Sequence, residues 1–315
     1  MLDVGVDRSL PTASAPRAEL GEIFTRRWVV DLILDLAGYT ADRDLTSVVA
    51  VEPSCGEGAF LVPMIERLLE SAARQDRSTE VLRSALRAFD LSAGNVELAR
   101  KLAMSCLVDA GVAVVEAQTL AELWITCDDF LLAGPAERSA DFVIGNPPYI
   151  RLENIPTERT EAYRCRYPTM RGRSDVYVGF IEKGLRLLTD GGALGFIVAD
   201  RWMHNQYGTE LRRMVSANFS VDAVIEMHDV DAFEEAVSAY PAVTVIRRRA
   251  QGPAVLTQAN SAFNPVEAAR LRSWTARGRS NRLRRPAFSA ARLPGWFPGD
   301  ELLANRRSDP AGDRC

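Results

Sequence analysis

The chain has 315 residues, of which 47% are hydrophobic and 25% charged, the balance of a soluble globular protein with one large domain or two ordinary ones. That composition excludes a collagen, a low-complexity chain and an acidic disordered tail as descriptions of the whole, and no run of roughly 18 uncharged apolar residues offers a membrane span. The net charge of −4 does not announce a nucleic-acid binder, but residues 247–315 hold 14 Arg against 5 acids, and residues 151–173 hold six Arg against three Glu.

Residues 1–20, rich in Ser, Ala, Pro and charge, are expected to form a flexible N-terminus; they show no apolar secretory core. A helical pattern covers 25–38. Strand SVVAVE (47–52) precedes a helix in AFLVPMIERLLESAA, and strand LRAFDL (86–91) precedes a helix over 95–109. VAVVEA (112–117) reads as a third strand and ADFVIG (140–145) as a fourth. The amphipathic helix VYVGFIEKGLRLL leads to strand ALGFIVA (193–199), a helix over 206–218, strand VDAVIEM (221–227) and strand PAVTVIRRR. Alternating strands and helices predict a parallel-rich sheet covered on both faces. The link between the last two strands is too short for a crossover helix, so the seventh strand is expected to run antiparallel. After about residue 250 the periodicity fades into Pro, Gly, Arg and isolated Trp, which predicts an irregular basic tail over 251–315. Five cysteines without a CxxC pair and two histidines, His204 and His228, argue against a disulfide framework or a bound metal and fit a reducing cytoplasm.

Four motifs carry chemistry. In VEPSCGEGAFL, Gly56 and Gly58 let backbone approach a ligand at a strand–turn–helix junction, with the acid Glu52 just before the turn. Asp90 ends the second strand, where a carboxylate accepts ribose hydroxyls; it lies too far from Glu52 for a dinucleotide fingerprint. Asp129 and Phe130, an acid beside an aromatic, suit an adenine amino group and its ring. Asn146-Pro147-Pro148-Tyr149 follows the fourth strand. Its prolines fix φ and hold the Asn amide and the next carbonyl outward. Two such oxygens accept both hydrogens of a planar amino group, and Tyr149 offers a flat face to a base.

This ordered set resembles the gamma class of adenine-N6 DNA methyltransferases, over about residues 21–249. GEIFTRRWVVDLIL resembles the N-terminal cofactor segment, with Thr25 against the cofactor's methionine part. VEPSCGEGAFL resembles the Gly-rich motif, contributing Glu52, Pro53, Cys55, Gly56 and Gly58. Asp90 matches the ribose-binding acid, Asp129 with Phe130 the adenine-binding pair, and the NPPY loop the catalytic residues. The resemblance implies a Rossmann-like class I methyltransferase fold (α/β, a mostly parallel seven-stranded sheet with one antiparallel strand and helices on both faces). It also implies S-adenosyl-L-methionine as cofactor and no metal. The expected substrate is an adenine flipped out of double-stranded DNA, and the expected partners are a specificity subunit and a cognate restriction endonuclease. On this reading 21–250 is the catalytic domain and 251–315 the beginning of a target-recognition region. The arginines of 151–173 become candidates for DNA-phosphate contacts. Arg248 falls where the family carries an aromatic that stacks on the flipped base. Two alternatives stay open: an NPPY methyltransferase acting on RNA or protein, and a truncated or partner-dependent subunit without its own DNA recognition.

Overall fold

The computed structural model describes residues 23–235, 240–277 and 281–293; residues 1–20 and the last part of the basic tail, 294–315, lie outside the described residues. Helix α1 (Arg27–Ala37) buries Val29, Val30, Ile33, Leu34 and Ala37 on one face. It stops at Gly38, whose φ of 82° turns its N–H back onto the Asp35 and Leu34 carbonyls. Asp31 and Asp35, on the opposite face, both accept from the Arg67 guanidinium, which lies on α2 (Leu61–Arg74).

The strands are β1 (Ala50–Glu52), β2 (Leu86–Asp90), β3 (Ile125–Cys127), β4 (Ala140–Gly145), β5 (Leu188–Ala199), β6 (Ser220–Glu226), β7 (Pro241–Arg247), β8 (Ala254–Ala259), β9 (Arg282–Arg284) and β10 (Phe288–Leu293). They form one sheet in the order β3-β2-β1-β4-β5-β7-β6-β8-β10-β9. The first seven of these give the expected mostly parallel sheet, with β7 antiparallel to β5 and to β6. Helices α1, α2, α3 (Ala93–Asp109) and α4 (Val114–Trp124) cover one face. Helices α5 (Thr157–Arg166), α6 (Tyr177–Leu187), α7 (Arg201–His204) and α8 (Thr209–Asn218) pack on the other. Parallel strands buried on both faces read as continuous apolar runs, and the unbroken burial of β4 and β5 beyond their first residues follows that rule.

Two expectations are corrected. Residues 112–117 do not form the third strand. They open α4, where Val114 and Val115 are exposed and Ala117, Leu120, Ala121 and Trp124 face the core; that spacing is helical, and the third strand follows at Ile125–Cys127. The tail is also not irregular throughout. Strand β8 pairs parallel with β6, and β10 pairs antiparallel with β8 and β9, so among the described residues the sheet has ten strands rather than seven. Helix α9 (Pro265–Arg277) docks on α1 through an Arg272–Asp35 ion pair of 2.6 Å. Phe263 and Phe288, 3% and 2% exposed, join the main core beside Trp28. The tail is too poor in apolar residues for a core of its own, but it completes a core that already exists.

Candidate functional site

Parallel strands of an α/β sheet leave a crevice beyond their carboxyl ends, where the strand order reverses. Here the reversal lies between β1 and β4, and the loops leaving β1, β2, β3 and β4 line one cavity of about 760 Å³, within the range of small-molecule and cofactor sites.

After β1 the chain turns over Pro53, Ser54 and Cys55 into Gly56 and Gly58, whose φ values of 49° and 97° lie in the left-handed region. The Gly56 N–H donates to Asp90 Oδ2 at 2.9 Å, and the Cys55 N–H to the Phe89 carbonyl at 2.8 Å, so the turn hooks onto the end of β2. The other Asp90 oxygen accepts from Ser92 N and from Asn95 Nδ2. Burial raises the Asp90 carboxyl above its ordinary range. Glu52 is 1% exposed, its Oε2 has no hydrogen-bond partner, and burial with Asp90 nearby holds its carboxyl well above the ordinary range. An acceptor left unsatisfied on a cavity wall marks a place for a donor.

After β4 the loop of Asn146, Pro147, Pro148 and Tyr149 stands at the same cavity. Asn146 Nδ2 donates to the Ile23 carbonyl at 2.9 Å and to Thr25 Oγ1 at 3.2 Å. That arrangement leaves Asn146 Oδ1 buried and without a partner. Ser54 Oγ donates to the Asn146 carbonyl at 3.1 Å, which fastens the Gly-rich turn to this loop. The Tyr149 hydroxyl is anchored on the Ile197 carbonyl at 3.3 Å. Phe233 stands edge-on to the Tyr149 ring at 6.3 Å, in a segment bridged to Thr25.

At the far end, Asp129 closes a tight turn after β3 and accepts from Leu131 N at 2.9 Å and from the Tyr163 hydroxyl at 2.7 Å. Phe130 stacks on Phe180, and the buried ammonium of Lys183 caps the Phe130 and Ala133 carbonyls. Burial lowers the Lys183 amine to about 8.

Of the residues singled out in the sequence, Thr25, Glu52, Pro53, Cys55, Gly56, Asp90, Asp129, Phe130, Asn146, Pro148 and Tyr149 all line this cavity. Gly58 and Pro147 shape its loops from behind: Gly58 closes the turn with an N–H to the Cys55 carbonyl, and Pro147 is buried. Arg248 lies elsewhere. It sits at the opposite end of the sheet, over the Phe219 ring and donating to the Leu185 carbonyl, because β7 is antiparallel and its last residues run away from the cavity. Phe233 and Tyr177 are the aromatic rings beside Tyr149, and sequence reading missed Phe233 because it lies in the polar link before β7. Also missed were Arg159 and Tyr163, which line the cavity from α5. Among the described residues no cluster of His, Cys, Asp and Glu could hold a metal ion, and no described helix is long and apolar enough to cross a membrane.

This architecture is the class I S-adenosylmethionine-dependent methyltransferase fold. A putative methyltransferase of that class from Listeria monocytogenes superposes with a TM-score of 0.58 at 16% identity, over 83% of this chain and 73% of that one. Residues 113–233 match the family described as Eco57I restriction-modification methylase. The chain is 46% identical over 235 residues to the type II methyltransferase M.PaeR7I of Pseudomonas aeruginosa, covering 74% of this chain and 41% of that protein. It is 44% identical to M.XhoI of Xanthomonas vasicola, covering 73% and 43%. These matches bear out the likeness to restriction-modification methyltransferases read from the motifs, and the chain spans about two fifths of the length of these relatives.

The cavity suits the cofactor of this fold. Glu52 Oε2 and the Asp90 carboxyl are acceptors on its wall that could take an amino group and ribose hydroxyls, and Phe130 beside Asp129 sets an aromatic and an acid where a purine could lie. Gly56 brings backbone close, and a Cβ there would meet nothing within 4 Å, so the chain leaves that space open.

Proposed function

We propose that this chain is the catalytic part of a DNA methyltransferase that methylates the N6 amino group of adenine in a restriction-modification system. The observation that carries the reading is the buried, unpartnered Oδ1 of Asn146, held at the cavity by an Nδ2 already engaged with Ile23 and Thr25. An amide fixed in this orientation presents an acceptor and no donor, which selects an amino group over a carbonyl.

S-adenosylmethionine, when bound, supplies an electrophilic methyl group. The residues of the chain do the rest by positioning. Asn146 Oδ1 accepts one hydrogen of the target amino group and draws its lone pair out of conjugation with the ring. Pro147 and Pro148 restrict the loop, so that little ordering remains to be done when the base arrives. Tyr149, anchored by its hydroxyl, offers the base a rigid face. No strong base is needed, since the methylated nitrogen loses its proton readily. A target inside a duplex has to leave the stack to reach this loop. DNA is met in the cytoplasm, and a specificity subunit and a cognate restriction endonuclease are the partners this reading assigns.

Asn146→Ala tests it. The variant keeps its affinity for S-adenosylhomocysteine, and single-turnover methyl transfer to duplex DNA falls by about a hundredfold or more, the usual loss for one preorganised hydrogen-bonding group. Transfer at the wild-type rate rejects the mechanism. Labelled methyl appearing in RNA or protein, and not in DNA, rejects the substrate.

A further inference from the structure

The arginine-bearing insert after the catalytic loop turns inward. Its loop is moored to α6: the Thr169 N–H and hydroxyl donate to the buried Glu182 carboxylate at 3.0 and 2.6 Å. Its helix, α5, grips the turn after β3, with the Tyr163 hydroxyl on Asp129 Oδ2 at 2.7 Å and the Tyr167 hydroxyl on the Leu131 carbonyl at 2.6 Å. Arg159, one turn before Tyr163, lines the cavity with its side chain 21% exposed and its Nε 3.8 Å from Asp129 Oδ2.

At this end of the cavity, then, a carboxylate and a guanidinium stand side by side. Asp129 Oδ1 is taken by the backbone of its own turn, while Oδ2 accepts from the Tyr163 hydroxyl and stands 3.8 Å from Arg159 Nε, which makes it the oxygen left for a ligand. A 6-aminopurine presents the complementary pattern, with amino hydrogens for a carboxylate beside ring nitrogens that accept from a guanidinium. The planar fork of Arg suits such an edge better than the point charge of Lys.

We propose that Arg159 is a cofactor-binding residue that donates a hydrogen bond to a ring nitrogen of the cofactor's adenine, and that Tyr163 is a positioning residue that aims Asp129 at the same purine. This rests on the reading of Asp129 and Phe130 as the adenine end of the site. It makes the insert part of the cofactor pocket rather than a purely DNA-facing loop.

The test is calorimetry of the whole chain with S-adenosylhomocysteine and with its 1-deaza, 3-deaza and 7-deaza analogues, each lacking one ring acceptor. In the wild type, one analogue binds about tenfold more weakly than the parent, the size of one charge-assisted hydrogen bond. In Arg159→Ala the parent binds about tenfold more weakly and that analogue's penalty disappears, while Arg159→Lys retains part of it. Duplex DNA affinity of Arg159→Ala stays within about twofold of wild type, because the side chain is aimed inward. A deaza penalty that persists unchanged in Arg159→Ala overturns the proposal, as does a wild type that shows none. So does a loss of DNA affinity with cofactor affinity intact, which returns Arg159 to the phosphates. Failure of the wild type to bind S-adenosylhomocysteine at all instead overturns the reading of the cavity itself.

Discussion

At the scale of single residues, the cavity holds two acids that folding puts under strain. Glu52 is fully enclosed with one oxygen unpartnered, and Asp90 lies close enough to raise it further. The sign of the consequence follows from linkage. A carboxyl whose folded value is raised favours the folded state in its protonated form. That contribution is fully present below the ordinary value of 4.5 and is lost as pH rises through the folded value. In ligand-free protein, Glu52→Gln removes the ionisation, so its thermal midpoint is expected to fall less than that of the wild type between pH 5 and pH 8, and to lie higher at pH 8. Equal slopes in scanning calorimetry show that Glu52 does not carry this linkage. The same variant loses cofactor affinity if the Oε2 acceptor serves the cofactor. Most of the residues that line the cavity were legible in the sequence, because short motifs carry them: the Gly-rich turn after β1, and Asn before two prolines after β4. What was not legible depends on distance in space. Phe233, Arg159 and Tyr163 belong to segments without a motif, and only the path of the chain brings the last two to the cavity and Phe233 to the Tyr149 ring.

At the scale of elements, the misread third strand and the insert show the limits of local pattern. VAVVEA has the valines of a strand, yet Val114 and Val115 are exposed on the first turn of α4, and the burial of Ala117, Leu120, Ala121 and Trp124 decides the outcome. Tertiary packing overrides propensity there, and the apolar residues after Val115 carried the helical signal. In the insert, the arginines invited a reading as phosphate contacts, but Arg164 donates to the Gly172 carbonyl and Arg166 reaches the Leu132 carbonyl. Part of their hydrogen-bonding capacity thus caps backbone within the chain, as that of Arg171 does at the Pro168 carbonyl, although all three side chains stay exposed. The insert packs against Gly179 of α6, where a Cβ would come within 2.4 Å of Met170 Sδ. Gly179→Ala therefore pushes Met170 and the loop away, and costs about 1–3 kcal/mol of stability as an overpacked contact. If the insert walls the cofactor site, S-adenosylhomocysteine binding weakens as well. Gly252→Ala, where a Cβ meets nothing within 4 Å, is the control expected to change neither. Chemical denaturation and calorimetry on the two variants separate loss of the wall from loss of the fold.

At the scale of the whole molecule, the parallel half of the sheet was readable from its alternation of strands and helices, and the extension beyond β7 was not. The buried apolar residues of this extension, Phe263, Leu271 and Phe288, are scattered among Arg, Asn and Pro, and Phe263 packs against Trp28, far back in the sequence on α1. A chain ending at residue 250 is accordingly expected to lose about 3 kcal/mol or more, since two buried phenylalanines contribute roughly 1.5–3 kcal/mol each, and to expose the edge of β6 to pairing with other chains. A truncated chain as stable as the full one in urea would show that the extension is only appended. Under the proposed function, arginines that face solvent are the groups that would meet DNA phosphates. Arg171 and Arg173 are exposed on the insert, and Arg284 on the edge strand β9. None of these positions forms a module that sets side chains against base edges, and phosphate contacts orient a protein without reading sequence. The 315-residue protein is therefore expected to bind duplex DNA with little sequence preference and with an affinity that falls steeply with salt, as released counterions require. Each phosphate contact contributes about 0.9 to the slope of log affinity against log salt. Arg171→Ala with Arg173→Ala should accordingly reduce that slope by about 2 while leaving S-adenosylhomocysteine affinity unchanged. An unchanged slope removes the insert from the DNA-binding surface. A single well-defined methylation site at physiological salt, found by sequencing DNA treated with this protein alone, would show that the strands and helix after β7 read sequence without a partner.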